Sequence, residues 1–189
     1  IKKNTENITI PSEEDRLEMF PMDYEEFRWA MDDKATIPLL QQVWEKRLSM
    51  GDDLNRSRMR DLRLYMLIGG MPQAVLSYVE SKDFQKVDVV KRRILKLYHD
   101  DIKKYALRLE MRVTAVYEEI PGQLQKHEKK FVLSSLKEGA RMRTYADAFL
   151  WLDDAKIINV CYNTTAPNIG LRLNEDRSSV KCYMGDTGL

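Results

Sequence analysis

The sequence predicts a mainly α-helical fold: a helical bundle, a long connecting helix, and then a winged helix-turn-helix with a small β-wing. Apolar residues recur at spacings of three and four through most of the chain, which is the period of an amphipathic helix. Gly and Pro residues divide this pattern into segments of helical length. Near the C-terminus the pattern changes to a β-rich run, Ile157 to Tyr162, with turn-prone Asn163-Thr164-Thr165 and Pro167 after it.

The bundle is expected to consist of short helices. Two extended pieces around Pro11 and Pro21 come first, and Asp23 with Glu26 then forms a capping-box-like start. Asp32-Asp33-Lys34 is interpreted as a linker, and Gly69-Gly70 as a break before a helix that Pro72 begins. The predicted helices are Tyr24 to Met31, Pro38 to near Gly51, Leu54 to Ile68, and Pro72 to Ser81.

The longest predicted helix runs from Phe84 to about Leu109. A second helix, Arg112 to Gln125, is expected to be interrupted by Pro121. The helix-turn-helix lies in Lys129 to Asn163. It comprises a short helix with Val132, Leu133 and Leu136 on one face, a turn at Gly139, and a helix carrying Met142 to Leu152. Leu171 to Leu173 and Val180 to Met184 are the remaining predicted strands.

The composition is that of a globular protein, with 43% hydrophobic and 32% charged residues among 189. The net charge is +1, but residues 1–33 hold ten acidic and four basic residues. The remaining 156 residues therefore carry 27 basic and 20 acidic side chains, a net charge of +7. Such a moderately basic body is compatible with nucleic acid without requiring it.

Several classes of site have no motif in this sequence. The glycines form no GxxxxGK[ST], so no phosphate-cradling loop is expected, and His99 and His127 belong to no HExxH. Cys161 and Cys182 lack CxxC spacing, so we expect no metal site and free thiols in a reducing cytoplasm. The two thiols either face each other across the wing or are half-buried strand residues. No apolar run reaches membrane-spanning length. We expect no catalysis by this segment alone.

Basic residues surround the predicted helix-turn-helix. Arg141, Arg143 and Thr144 begin its second helix, the end that enters the major groove in this motif. Their alternative role is a solvated basic face beside a protein-binding surface. The candidate DNA-binding residues are Lys129, Lys130, Lys137, Arg141, Arg143 and Thr144.

A second basic cluster lies in the third predicted helix. Its arginines could contact a nucleotide phosphate, or form a solvated face paired with Asp53 and Asp61. Gly69-Gly70 could bind an anion before a helix N-terminus, but a tight helix crossing is favoured. The three tryptophans lie on apolar stripes and are assigned to the core. The arginines are Arg56, Arg58, Arg60 and Arg63, and the tryptophans are Trp29, Trp44 and Trp151.

Several blocks follow one another along the chain: MFPMDYEEFRWA (19–30), LIGGMPQAV (67–75), ILKLYHDDI (94–102), IPGQL (120–124), KKF (129–131), WLDDA (151–155) and DTGL (186–189). In this order they resemble blocks of a family of bacterial and archaeal AAA-type ATP-binding proteins. The first is similar to the family's MYPLDFEEFLWA, the second to its GGMPEAV signature and the third to its ILxLYxxDI. The resemblance covers nearly the whole chain from about Thr9.

The resemblance implies an ATPase core upstream and a nuclease-like α/β domain downstream, as partners within the same protein. It implies ATP and Mg²⁺ in the parent protein and none bound by this segment, because the match begins after the phosphate-binding residues. The expected division is 1–22 as the tail of an ATPase core and 23–81 as a helical lid-like domain. Residues 82–128 would form the long helix and connector, and 129–189 a winged-helix domain running into the start of a truncated C-terminal domain.

The leading interpretation is therefore the lid and winged-helix portion of an AAA-type ATP-binding protein. In it, an arginine from the 56–63 cluster would sense phosphate, and the winged helix would couple nucleotide state to a partner, with double-stranded DNA as one candidate. The alternatives are a stand-alone winged-helix DNA-binding module and a protein-interaction scaffold. The chain starts at Ile1 and stops just after a strand-like segment, so we expect a piece of a longer protein.

Overall fold

A computed structural model describes residues 17–127, 129–166 and 168–189. The chain divides into two compact units. Residues 18–95 with 186–189 form the helical unit, and residues 96–185 form the hairpin unit. The predicted fold class is confirmed, because the described residues are mainly helical and carry a small two-stranded antiparallel sheet near the C-terminus. The predicted extended piece around Pro11 lies outside the described residues.

The elements follow one another in this order. The α-helices are α1 Tyr24–Ala30, α2 Thr36–Glu45, α3 Asp52–Ile68, α4 Pro72–Ser81, α5 Phe84–Tyr105, α6 Glu110–Gln125 and α7 Met142–Asp154. The strands are β1 Ile158–Thr164 and β2 Glu175–Met184, and two 3₁₀ helices span Leu133–Ser135 and Leu171–Asn174.

The helical unit is built on a small apolar core with a well-capped first helix. In α1 the predicted capping box is present: the Glu26 N–H donates to the Asp23 carboxylate at 2.8 Å, and the Asp23 N–H donates to the Glu26 carboxylate at 2.9 Å. The core comprises Phe27, Ile68, Ala74, Val75 and Val87.

The second helix differs from its prediction at both ends. It begins at Thr36, two residues before Pro38, and it ends at Glu45 rather than near Gly51. The assignment of the tryptophans to the core is wrong for two of them, because Trp29 is 50% exposed and Trp44 is 83% exposed. Helical periodicity identifies which residues share a face, but it does not determine whether another element covers that face.

The hairpin unit packs α6 and α7 against the two strands. The long helix α5 ends at Tyr105, four residues before the predicted end. Its successor α6 continues through Pro121 for another four residues, so the predicted interruption there is wrong. One proline removes a single backbone donor and need not end a helix that is buried along one side. The buried positions of α6 are Val113, Val116, Tyr117, Ile120 and Gln123.

The helix-turn-helix prediction is matched in its second half. The turn at Gly139 has φ +70°, and α7 follows it as expected. The preceding segment holds only the 3₁₀ helix Leu133–Ser135 instead of an α-helix. The predicted strand over Leu171 to Leu173 is wrong, because those residues form a 3₁₀ turn between β1 and β2. Assignment of the unit as a winged helix stays a prediction.

Strands β1 and β2 pair antiparallel, with Val160 opposite Cys182 and Cys161 opposite Lys181. Successive strand residues point to opposite faces, so the two cysteines lie on different sides of the sheet and do not face each other. Cys161 is exposed, whereas Cys182 is buried. Burial raises the pKa of the Cys182 thiol to about 12, which keeps it protonated at neutral pH.

A cluster of charges in the helical unit joins the α1–α2 connection to α3. The Asp33 carboxylate accepts bonds from the N–H groups of Ala35 at 3.0 Å and Thr36 at 2.9 Å, so it caps the start of α2. The Thr36 hydroxyl donates to it at 2.5 Å, and the Arg28 guanidinium pairs with it. Asp33, assigned from sequence to a linker, is therefore the most heavily bonded carboxylate of this unit.

Opposite charges complete the cluster. Arg58 lies 3.6 Å from the Asp33 carboxylate and 3.4 Å from that of Asp61, while Arg28 lies 3.5 Å from Asp61. The hydrogen bond from the Thr36 hydroxyl, reinforced by Arg28 and the backbone donors, holds the pKa of Asp33 well below its usual range. A carboxyl whose pKa is depressed on folding stabilises the fold above its unfolded pKa and loses that contribution as the pH falls.

We expect Asp33→Asn to lower the free energy of unfolding at pH 7 by about 2–3 kcal/mol, because the amide removes one of the two carboxylates that Arg28 and Arg58 share. The difference between wild type and variant should shrink below about pH 4, where unfolded Asp33 becomes protonated. Urea unfolding followed by circular dichroism from pH 7 to pH 2.5 measures both effects. Asp53→Asn is the matched control, because the Asp53–Arg56 pair is fully solvated and should contribute nothing measurable. Equal stability of D33N and D53N would contradict the role given to the cluster.

Candidate functional site

In the helical unit, the turn between α3 and α4 packs closely against the segment Asp186–Leu189. Asp186 is 5% exposed, and its carboxylate accepts the Gly70 N–H at 2.5 Å and the Gly188 N–H at 2.8 Å. A buried carboxylate is stable as an anion when backbone donors satisfy its oxygens. The turn and the segment therefore form one hydrogen-bonded site although they lie more than a hundred residues apart.

Three glycines allow this close approach. A Cβ on Gly69, whose φ is +85°, would meet the Asp186 carboxylate at 2.1 Å. A Cβ on Gly70 would meet the Met22 carbonyl oxygen at 2.0 Å, and one on Gly188 would meet the Ile68 carbonyl oxygen at 2.4 Å. The backbones are too close for any side chain larger than hydrogen at these positions.

Met22 and Tyr65 complete the site. The Met22 N–H donates to the Gly70 carbonyl at 2.7 Å, and the Tyr65 hydroxyl donates to the Met22 carbonyl at 3.0 Å. The Thr187 side chain lies close to the Tyr65 hydroxyl. Burial raises the pKa of Tyr65, so it remains a neutral donor at physiological pH.

One cation lies beside this site. Lys91 donates to the Leu67 carbonyl at 2.8 Å, at the C-terminal end of α3, where a positive charge is favoured. Burial lowers the pKa of Lys91, and the nearby Asp186 charge opposes that effect. Because Asp186 itself occupies the Gly70 N–H, the structure supports the structural interpretation of Gly69-Gly70 over an anion-binding one.

The four candidate phosphate-contacting arginines are divided between two faces of α3. Arg56, Arg60 and Arg63 line one shallow surface pocket with Asp53 and Ser57. Arg58 points elsewhere, with its guanidinium 3.6 Å from Asp33 and 3.4 Å from Asp61. Arg58 is thus already neutralised by carboxylates, while the other three form the exposed set that a phosphate could reach.

All six candidate DNA-binding residues are exposed. Arg141, Arg143 and Thr144 occupy the N-cap, second and third positions of α7. One of the lysines has a local partner, because the Lys129 ammonium donates to the Leu124 carbonyl, and Lys130 lies within electrostatic range of Asp176. Lys137 lies in the connection that precedes Gly139. The basic residues therefore concentrate at the start of α7, whose exposed side farther along carries Asp147 and Leu150.

Sequence reasoning missed the two carboxylates that organise the helical unit. The sequence around Asp33 indicates a linker, and Asp186 stands out only as part of the DTGL block. A carboxylate two or three residues before a helix is a recognisable capping signal, so Asp33 could have been found. Asp186 has one local partner, the Gly188 N–H two residues on, but its other partner is contributed by a distant turn that no local signal predicts.

In the part of the chain that the structure describes, no three His, Cys, Asp or Glu side chains converge as metal ligands do. None of the helices within the described ranges combines the length and apolar character that crossing a bilayer requires.

We expect Gly70→Ala to lower the free energy of unfolding by about 3 kcal/mol or more, since the added methyl group overlaps the Met22 carbonyl. Gly122→Ala is the control, because a Cβ there meets nothing within 4 Å inside α6. Removal of a helical glycine should raise stability by about 0.5–1 kcal/mol. Urea titration at pH 7 gives the sign of the change in unfolding free energy for each variant. A G70A protein as stable as the wild type would refute the close packing described above.

Comparison with known proteins adds one family. A family model described as a domain of unknown function (DUF8612) matches residues 59–189, which is 131 of the 189 residues. The matched region begins within α3 and includes the Gly69-Gly70 turn, the hairpin unit and the segment that carries Asp186. No curated protein and no solved structure matches the chain. The chain belongs to the DUF8612 family of domains of unknown function.

Proposed function

We propose that this chain is the lid and winged-helix portion of an AAA-type ATP-binding protein, a non-catalytic segment that couples nucleotide state to a partner. The observation that carries the proposal is the meeting of three blocks on which the resemblance rests. Met22, Gly70 and Asp186 each come from a different block, and hydrogen bonds join all three. Blocks that are spread over 168 residues of the sequence (19–186) thus meet in one packed site.

In this proposal ATP and Mg²⁺ are bound by an upstream core, and the chain contributes positioning residues only. Arg56, Arg60 and Arg63 are suited to contact a phosphate, because they share one surface pocket and project from one face of α3. Guanidinium groups bind phosphate oxygens through paired N–H donors. A cytoplasmic location, with Cys161 and Cys182 as free thiols, belongs to the same proposal.

The coding sequence that precedes Ile1 tests this directly, because it should encode GxxxxGK[ST]. In the protein expressed from that complete frame, we expect ATP hydrolysis that loses about tenfold or more in kcat when Arg56, Arg60 and Arg63 are all changed to Ala. Steady-state hydrolysis assays with ATP and Mg²⁺ give kcat and KM for each variant.

The control is Arg92→Ala, which removes an exposed arginine of α5 that pairs with Asp88 on the same helix. It should leave kcat unchanged. A reading frame without the phosphate-binding motif would remove the ATPase proposal altogether. Unaltered hydrolysis in the triple variant would remove only the role of the arginines.

Duplex DNA is a second candidate partner, favoured by the two arginines that begin α7. No acidic side chain in the described ranges forms an ion pair with Arg141 or Arg143, so both guanidinium groups are available to phosphates. The N-terminal end of such a helix also presents unsatisfied N–H groups. Asp147, one turn farther along, limits the favourable surface to the first turn.

We expect affinity for duplex DNA to fall steeply with salt and to fall about a hundredfold in the double variant Arg141→Glu/Arg143→Glu. Fluorescence anisotropy with a labelled duplex from 50 to about 200 mM salt measures both quantities. Arg92→Glu/Arg93→Glu is the matched control, since it makes the same charge change on exposed residues of α5. If both double variants weaken binding equally, the attraction is non-specific, and absence of binding at low salt excludes DNA.

A further inference from the structure

A groove lies in the hairpin unit between α7 and the β-hairpin. Its floor is apolar and is formed by Met142, Ala146 and Phe149 of α7 with Val160 and Tyr162 of β1. Within α7 these positions recur at three and four residues, so they form one continuous face. The groove is open to solvent, and Leu150 at its edge is 60% exposed.

The two walls of the groove carry opposite charges. Asp147 and Asp153 stand on the α7 wall, and Arg172 and Arg177 on the hairpin wall. Arg177 is neutralised locally, because it lies 2.8 Å from the Glu175 carboxylate. Asp147, Asp153 and Arg172 form no ion pair within the described residues. Charges of both signs thus line one groove without pairing across it.

Apolar side chains project from the hairpin rim beside Arg172. Leu171 is 58% exposed and Leu173 is 89% exposed, and both flank Arg172 on the same 3₁₀ turn. Exposed leucines grouped around a groove, rather than scattered singly, are typical of interaction sites. On the other wall, Leu150 and Ala146 are exposed apolar residues that line the groove.

We propose that a second copy of this chain covers the groove, in a dimer whose two-fold axis runs along the length of the groove. Rotation by 180° about that axis places the acidic α7 wall of one copy against the basic hairpin wall of the other. Each copy then supplies Leu171 and Leu173 to the apolar floor of its partner. Under this symmetry, each wall of one copy meets the oppositely charged wall of the other copy. No other face-to-face pairing of two copies brings the unlike walls together.

The symmetry makes the charge requirement testable, because Asp147 of each copy faces Arg172 of the other. In a homodimer of Asp147→Arg, an arginine at position 147 faces Arg172 of the other copy at both equivalent contacts. In a homodimer of Arg172→Asp, an aspartate at position 172 faces Asp147 of the other copy at both contacts. Each single variant should raise the dimer dissociation constant about a hundredfold or more. The double variant D147R/R172D restores opposite charges in the homodimer, and an equal mixture of the two single variants should form a heterodimer.

Sedimentation equilibrium of the full 189-residue chain over a range of concentrations provides the dissociation constants, with circular dichroism melting to verify that each variant folds. Lys181→Asp is the matched control, because Lys181 lies on the opposite face of the sheet, paired with Cys161. It should leave the constant unchanged. The proposal is overturned if the wild type is monomeric or if the single variants dimerise normally. It is also overturned if the double variant and the mixture both fold but remain monomeric.

Discussion

The hydrogen bond from the Gly70 N–H to the Asp186 carboxylate is the contact on which the helical unit depends. It joins residues separated by 116 positions, and both groups are buried. A buried carboxylate without such a partner would cost several kcal/mol, so the turn and the segment must form together. The absence of a side chain at Gly69 and Gly188 follows from this close approach, because a Cβ at either position would overlap the facing segment. Gly70 has no room for a side chain because a Cβ there would overlap Met22.

The charge cluster around Asp33 positions a different helix, α2, and it also does so through hydrogen bonds to a carboxylate. It fixes the start of α2 against α3 through two arginines and a hydroxyl, where apolar contacts of α2 are few. The exposed Trp44 shows how little of α2 is covered by apolar packing in the described residues. An ion cluster that is only partly buried avoids the full free-energy cost of desolvation and still orients α2 against α3. We infer that α2 is positioned mainly by polar bonds.

Local signals in the sequence predicted most helices, because caps, prolines and glycines act on neighbouring residues. The box at Asp23, the start of α4 at Pro72 and the turn at Gly139 are all where the sequence placed them. The failures are non-local. Leu171 to Leu173 have strand propensity but lie in the connection between paired strands, and Trp44 has helical periodicity but no covering element. The site around Asp186 could not be derived from periodicity, since it depends on a contact between distant turns.

The exposed face of α7 decides between the kinds of partner that the hairpin unit can take. A helix that reads the major groove along its length needs basic or neutral side chains facing the phosphates, and here Asp147 and Asp153 follow Arg143 within three turns. Acidic groups on that face repel a polyanion but attract the arginine of another protein surface. The exposed part of the apolar floor, at Ala146 and Tyr162, would be left uncovered by a nucleic acid backbone. On this face of α7 the chemistry that suits a phosphate is therefore confined to Arg141 and Arg143, whereas the side chains farther along have the chemistry of a protein interface.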